Sequence, residues 1–526
     1  MAQFYSMLSR NRSSDRSAFT DESDHSLSYM ALFTYADRLG SYLNTILGEG
    51  NYAVGVFQHK TLTAVAGIFG VLAAGKAFVP IDPKLPKSRI DHIVSAASIR
   101  LVVVDSSISS DDLSYFSGKD IVVVTCRVDD AGFDCQSPNA GDIATRGVSP
   151  RLISEERLSH VLFTSGTTGS PKGVMIKEES QIAFTKTMAD AFGHDQNTRW
   201  LSLSPLYFDV CTLDLFVEVY CGSTVFLMTP GVMAHQVANA LDKYRITHVL
   251  LISSIVKMLA SEFSGLEKRD LSNIQELWYG GEACPVEALR KISGLLPHVR
   301  FAQCYGPSEV CNNSTLYKFD SVPDDIGGFM PLGQTISTVE GYILDEMGNL
   351  LTGEGIGELY LGGVQVMAGY VNDEEETSKC LLKNTFNPGS PYKIYKTGDY
   401  VRVDKNGLMY FHGRKDDLIK IRGNRVSLHE VQSAIVSIPK VLDAIVYVRK
   451  DDIGGMLDSL NAIVVCNTAM TAGELKLALK PLLATYMIPD KFQIETSATV
   501  PIKENGKIDR AQLLSNFPEV QANAMQ

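Results

Sequence analysis

The residues best suited to chemistry lie in one stretch, Phe163-Thr164-Ser165-Gly166-Thr167-Thr168-Gly169-Ser170-Pro171-Lys172-Gly173-Val174. It holds three glycines, five hydroxyl side chains and one lysine, set between the apolar runs Val161-Leu162-Phe163 and Val174-Met175-Ile176. Glycine lets backbone N–H groups turn inward, hydroxyls add donors, and the lysine adds charge, a combination matched to a polyphosphate with many acceptor oxygens. The G-x-x-x-x-G-K-[ST] spacing of a Walker A loop fails here, and Lys172 leads into a strand-like run instead of a helix. The stretch therefore reads as a strand–loop–strand anion nest. An ordinary Ser/Thr/Gly surface turn is the alternative that the stretch alone leaves open.

The flanking chain shows what must position this loop. Residues 28–50 read as mainly helical, with Leu39, Tyr42, Leu43 and Ile46 at helical spacing. A strand Ala53–Phe57, a helix Thr61–Ala74 and an extended Ala77–Pro83 follow, the last ended by its prolines. Valine-rich runs at 101–104 and 121–125 continue the alternation, which implies a parallel sheet covered on both faces. The same texture returns between Trp200 and Gln303, with strands expected around Val225–Leu227, His248–Ile252 and Leu277–Tyr279. From Asp320 to Phe411 short strands with glycine punctuation read as an antiparallel region, and beyond Gly413-Arg414-Lys415-Asp416-Asp417 the chain becomes a compact α+β segment. The expected fold is α/β with α+β: a large N-terminal domain, residues 1–415, of doubly covered mixed or parallel sheets plus an antiparallel β subdomain. A small mobile α+β domain, residues 416–526, completes it.

Length and composition agree with this reading. A chain of 526 residues is too long for one core, and 45% hydrophobic with 21% charged residues is ordinary for a globular protein. The net charge of −12 argues against nucleic acid or an anionic membrane as partner. Nine cysteines are scattered without a C-x-x-C pair, as in a reducing compartment. The polar start, Met1 to Asp24, carries no secretory core, and the most apolar stretch, Leu62 to Pro80, is broken by glycines and Lys76. A cytoplasmic monomer is expected.

The glycine-rich stretch resembles the phosphate loop of the adenylate-forming superfamily, which includes acyl-CoA synthetases, luciferases and the adenylation domains of nonribosomal peptide synthetases. Further segments resemble that family in order along nearly the whole chain. Leu32–Tyr35 and Ala74–Asp82 match motifs of structural use, as does the histidine position at His160. The resemblance implies that Thr164, Ser165, Gly166, Thr167, Thr168, Gly169 and Lys172 hold the phosphates of ATP. In Cys304-Tyr305-Gly306-Pro307-Ser308-Glu309 it implies that Tyr305 stacks on adenine, Ser308 contacts the α-phosphate and Glu309 holds Mg²⁺. A hard cation suits a carboxylate plus phosphate oxygens. Tyr395-Lys396-Thr397-Gly398-Asp399 resembles the family's ribose motif: Asp399 would accept from both hydroxyls, Arg414 would reach the ribose, and Phe411 would lie on the other adenine face. Asn505-Gly506-Lys507-Ile508-Asp509-Arg510, after the family segment Leu483–Pro489, implies that Lys507 is catalytic, sitting where negative charge concentrates during adenylation.

Phe208-Asp209-Val210 resembles the segment of amino-acid-activating members, in which Asp209 would pair with a substrate ammonium. An unpaired buried carboxylate is costly, so an acidic residue here suggests a cationic substrate group. By position the substrate pocket would be lined by Asp209, Val210, Leu213, Leu250, Trp278, Gly280, Cys304, Asn312 and Asn313, with Lys507. That lining suits a small or medium side chain, including one with a hydrogen-bonding end. Only sixteen residues follow Arg510, so the resemblance implies a stand-alone enzyme that loads a separate phosphopantetheinylated carrier protein. Asp416 matches the hinge position, although Asp417-Leu418-Ile419 departs from the commoner peptide-synthetase pattern, and Lys420–Gly423 would approach the pantetheine arm. An acyl-CoA synthetase, a D-alanine–carrier protein ligase and a catalytically silent member of the fold remain as alternatives.

Overall fold

The structure, a computed structural model, describes residues 3–496 except 120, 130–131, 137–152, 155, 165–170, 230–232, 261–263, 282–283, 285, 324–325, 327–329, 415–417, 422–423, 450–458 and 467. Two large sheets dominate. The first runs Gly369–Tyr370, Lys172–Lys177, Leu158–Thr164, Ala77–Ile81, Ala53–Phe57, Leu101–Asp105, Val122–Asp129 and Gly132–Gln136. The second runs Gln334–Thr335, Thr315–Phe319, Arg300–Tyr305, Glu276–Gly280, His248–Ile252, Arg199–Ser202, Thr224–Leu227, Ser17–Thr20 and Ser26–Ser28. Both are parallel at the centre and antiparallel toward their edges.

Helices Tyr29–Leu47, Leu62–Ala73 and Glu178–Phe192 share one apolar cluster with inner-face residues of both sheets, such as Val54, Val56 and Phe78 on one and Trp200, Leu250 and Trp278 on the other. This burial explains why Leu62–Ala73 is apolar all round, since a helix between two sheets has no wet face. Its start is set by Thr61, whose hydroxyl accepts from Ala64 N. It lies close to Tyr29–Leu47 because Gly70 leaves room for Leu39: a Cβ there would fall 2.4 Å from Leu39 Cδ2. The outer faces carry separate clusters under Ala234–Lys243 and Val286–Leu295 on the second sheet and Lys87–Ala96 on the first. Both sheets are thus doubly covered, as the alternating texture predicts.

The antiparallel region consists of Glu340–Leu344, Gly355–Gly362, Ile394–Val403, Leu381–Leu382 and Met409–Arg414. After it come a hairpin, Leu418–Ile421 with Asn424–Ser427, and a three-stranded sheet, Val441–Arg449, Ser459–Cys466 and Lys491–Thr496. Helices Leu428–Val436 and Ala472–Leu479 pack on these strands around a cluster of their own. This is the mixed α/β and α+β architecture expected from the sequence.

The start of the chain is more structured than its polar composition suggests. Helix Gln3–Leu8 buries Phe4, Tyr5 and Leu8, and Ser17–Thr20 extends the second sheet beside Thr224–Leu227. Glu178 accepts from Phe4 N at 2.7 Å and ties this helix to the one that begins there. All nine cysteines are free thiols. No helix among the described residues is long and apolar enough to cross a membrane.

Candidate active site

Asp209, Gly280 and Tyr305 all lie at or beyond the carboxyl ends of parallel strands of the second sheet, Arg199–Ser202, Glu276–Gly280 and Arg300–Tyr305. Parallel sheets place ligands at this edge, where loops diverge. Asp209 leads into a helical segment, Val210–Cys221, whose Leu213–Val217 portion is a π-helical turn. That segment is anchored by buried Asp214, which accepts Trp200 Nε1–H at 2.7 Å and Ser202 Oγ–H at 2.6 Å. Burial pushes the Asp214 carboxyl up to about 6 despite these donors.

The loop after Tyr305 folds back sharply. A Cβ on Gly306 would sit 1.7 Å from the Asn312 carbonyl oxygen, so only glycine fits there. Cys311 and Asn312 take left-handed backbone conformations, with φ of 53° and 77°. Gln365 Nε2 donates to the carbonyls of Val310 and Asn313 at 3.1 and 3.2 Å, and Ser314 N donates to Tyr305 O at 2.8 Å. Within this loop Ser308 Oγ donates to Asp209 Oδ2 at 2.5 Å. Glu309, 1% exposed, accepts Tyr370 Oη–H at 2.9 Å.

The glycine-rich stretch closes an antiparallel hairpin, Leu158–Thr164 with Lys172–Lys177, in which Thr164 and Lys172 are the last pair. These are the two strands expected on either side of the stretch. Thr164 and Lys172 are placed, while Ser165, Gly166, Thr167, Thr168 and Gly169 lie outside the described residues. Lys172 Nζ meets Glu376 Oε2 at 2.5 Å and lies 5.3 Å from the Tyr370 ring centre. Lys172 and Lys379 hold the Glu376 carboxyl below the usual range. His160, on the first strand, bonds Ser159 Oγ at 2.8 Å and stacks on Phe78. Burial pushes it down to about 3, so the imidazole is neutral at ordinary pH.

The antiparallel sheet brings Asp399 to the same place. Tyr305 Oη donates to Asp399 Oδ2 at 2.5 Å, and Arg414 Nε lies 3.4 Å from Asp399 Oδ1 on the paired strand. Burial first, and then the Asp399 carboxylate, raise the Tyr305 phenol well above its ordinary value. Asp399 Oδ1 is buried and accepts no hydrogen bond from the described residues. Phe411, on the Arg414 strand, is 41% exposed.

The residues assigned to the substrate pocket converge on one sheet face. Leu250 pairs in register with Trp278, Trp278 with Ala302, and Gly280 with Cys304. Trp278 is fully buried, donates Nε1–H to Glu276 Oε2 at 2.8 Å and meets Phe192 edge to face. Leu213 and Cys304 belong to the same cluster, with Val210 packed against it. A side chain at position 280 would strike the Cys304 carbonyl, which lies 2.4 Å from a Cβ built there. Asn312 and Asn313 are buried in the loop described above. Phe208 lies 6.4 Å from the Tyr486 ring, in the segment where Pro481 O accepts from Ser88 Oγ. Lys507 and Asp416 lie outside the described residues.

Tyr370, Glu376 and Gln365 are the site neighbours that sequence reasoning misses. Gly369-Tyr370 offers only an aromatic after a glycine as a signal, and Gln365 and Glu376 offer none.

The family model for AMP-binding enzymes matches residues 8–371. The chain belongs to the AMP-binding enzyme family. It is similar to indigoidine synthase of Dickeya dadantii (strain 3937), 30% identical over 411 residues, 76% of this chain and 26% of that protein. Surfactin synthase subunit 3 of Bacillus subtilis (strain 168) is 30% identical over 511 residues, 96% of this chain and 38% of that protein. The chain thus spans well under half the length of these relatives. The fold is shared with the amide bond synthetase McbA from Marinactinospora thermotolerans, at a TM-score of 0.81 and 22% identity, covering 98% of this chain and 99% of that one.

Proposed function

We propose that this protein activates an amino acid with Mg·ATP and passes it to the phosphopantetheine thiol of a separate carrier protein, acting as a cytoplasmic monomer. In the first step a substrate carboxylate oxygen attacks the α-phosphorus. The bond to the β-phosphate oxygen breaks, and aminoacyl-AMP and pyrophosphate result. In the second, the thiol sulfur attacks the acyl carbon and AMP leaves with the bridging oxygen. The observation that carries this reading is the Ser308–Asp209 hydrogen bond. It sets a carboxylate beside the hydroxyl assigned to the α-phosphate, where an α-ammonium would lie when its carboxylate meets that phosphate.

The rest of the site supports the nucleotide roles. Asp399 Oδ1 is a buried acceptor without a donor among the described residues, which suits a ribose hydroxyl, and Arg414 stands next to it. Lys172, with the residues assigned around it in the loop, would hold phosphate oxygens in place of Glu376. Glu309 offers one buried carboxylate, the hard oxygen ligand that Mg²⁺ takes alongside phosphates and waters. When bound, the cation neutralises phosphate charge. Lys507 would stabilise charge at the reacting centre, and rotation of residues 416–526 about Asp416 would exchange it for the carrier thiol.

Amino-acid-dependent ATP–pyrophosphate exchange across a panel of α- and β-amino acids and simple carboxylic acids tests this function. One amino acid is expected to support exchange, and its acyl group to move to a carrier thiol. Exchange with ammonium-free acids alone, followed by transfer to CoA, would overturn the reading.

Tyr370 is expected to position Glu309 for the cation. Outer-shell partners of metal ligands are worth about 10–100-fold in metal affinity. Tyr370→Phe should therefore raise the Mg²⁺ concentration for half-maximal exchange about tenfold, with little change in rate at saturating Mg²⁺. An unchanged Mg²⁺ titration would remove Tyr370 from this role.

A further inference from the structure

The loop after the nucleotide motif carries, on consecutive residues, three buried polar atoms without hydrogen-bond partners among the described residues: Asn312 Nδ2, Asn313 Nδ2 and Ser314 Oγ. The two asparagines are 4% and 5% exposed. Buried amide donors are nearly always paired, so an adjacent pair left open in a folded site points to a ligand group that completes them. They cannot easily turn away. Gln365 holds the carbonyls of Val310 and of Asn313 itself, Gly306 presses against the Asn312 carbonyl, and Cys311 Sγ–H bonds Gln181 Oε1 at 3.3 Å. The other residues that the resemblance assigns to the substrate pocket, Leu213, Leu250, Trp278 and Cys304, are apolar or sulfur-bearing and buried.

We propose that the substrate's side chain ends in a carboxamide that pairs with Asn312 and Asn313. This inference rests on the amino-acid-activating reading of the site. A carboxamide carbonyl has two lone pairs and can take both Nδ2–H donors, while its own NH₂ finds the asparagine carbonyl oxygens. Amide-to-amide pairing is complementary whichever way each terminal amide is turned. A carboxylate end is disfavoured, because two neutral amides would leave a buried charge without a counter-ion. A hydrocarbon end is disfavoured because both donors would stay unmet, and sites built to bond a polar group discriminate strongly against analogues lacking it.

The protein is tested by pyrophosphate exchange with asparagine, glutamine, aspartate, glutamate, leucine, methionine, norvaline and phenylalanine, and with ammonium-free carboxylic acids. We expect kcat/KM for one carboxamide to exceed its carboxylate and hydrocarbon counterparts by about a hundredfold or more. The variants Asn312→Leu and Asn313→Leu, checked for ATP binding and melting temperature, should lower exchange with that carboxamide about tenfold or more and raise it with the hydrocarbons. Preference of the unaltered protein for an apolar or acidic side chain would overturn the carboxamide assignment and leave the amino-acid reading standing. Exchange with none of these amino acids, but with ammonium-free acids, would overturn both. The wild-type panel decides the matter even where a leucine variant fails to fold.

Discussion

Lys507→Ala is expected to lose amino-acid-dependent pyrophosphate exchange while still passing a presynthesised aminoacyl-adenylate to a carrier thiol. A lysine is a compact cation, and at this position it would meet charge growing between the substrate carboxylate and the α-phosphate. Removing one preorganised donor of this kind typically costs about 10²–10³ in rate, roughly 3–4 kcal/mol. In the thioester step the proposed rotation of the C-terminal residues would carry Lys507 out of the site, so its loss should go unnoticed. The paired assay therefore separates a catalytic lysine from a structural one. Equal loss in both steps by a folded variant would mean that Lys507 is structural, or that the two parts of the chain do not alternate.

Asp209→Ala should abolish activation of the cognate amino acid far more than it weakens ATP binding. Asp209 is half-buried, and where a bound substrate covers it, breaking the ion pair by removing one partner costs roughly 3–5 kcal/mol, so exchange should fall about a hundredfold or more. The hydrogen bond from Ser308 adds a control. Asp209→Asn keeps an acceptor for that hydroxyl but carries no charge. If Asp209 acts by pairing an ammonium, Asn should be nearly as damaging as Ala. If it acts only by orienting Ser308, Asn should restore most of the exchange. Near-normal exchange by both variants would point instead to a carboxylic-acid substrate.

Much of this architecture is legible in the chain itself. The strands Ala53–Phe57, His248–Ile252 and Glu276–Gly280 are short apolar runs between helical stretches, a local pattern that dictates burial on both faces. The hairpin around the glycine-rich loop is legible too, because apolar runs bracket residues that cannot continue a strand. The N-terminal helix Gln3–Leu8 is not, since six residues with three buried side chains fall below any useful window of periodicity.

By itself the sequence determined which chemical groups are present, the order of the motifs and the class of layered fold. Only the tertiary structure decided which groups meet. Tyr370 reaches Glu309 across 61 residues, Ser308 reaches Asp209 across 99, and Lys172 reaches Glu376 across 204. Gln365 crosses more than fifty residues to hold the loop in which the Asn312 and Asn313 amide nitrogens find no partner among the described residues. Such pairings depend on how two sheets, the helices between them and an antiparallel sheet stack against one another. Local propensity carries no information about them, because the same tyrosine, glutamine or glutamate would sit equally well in its strand or loop with no partner at all.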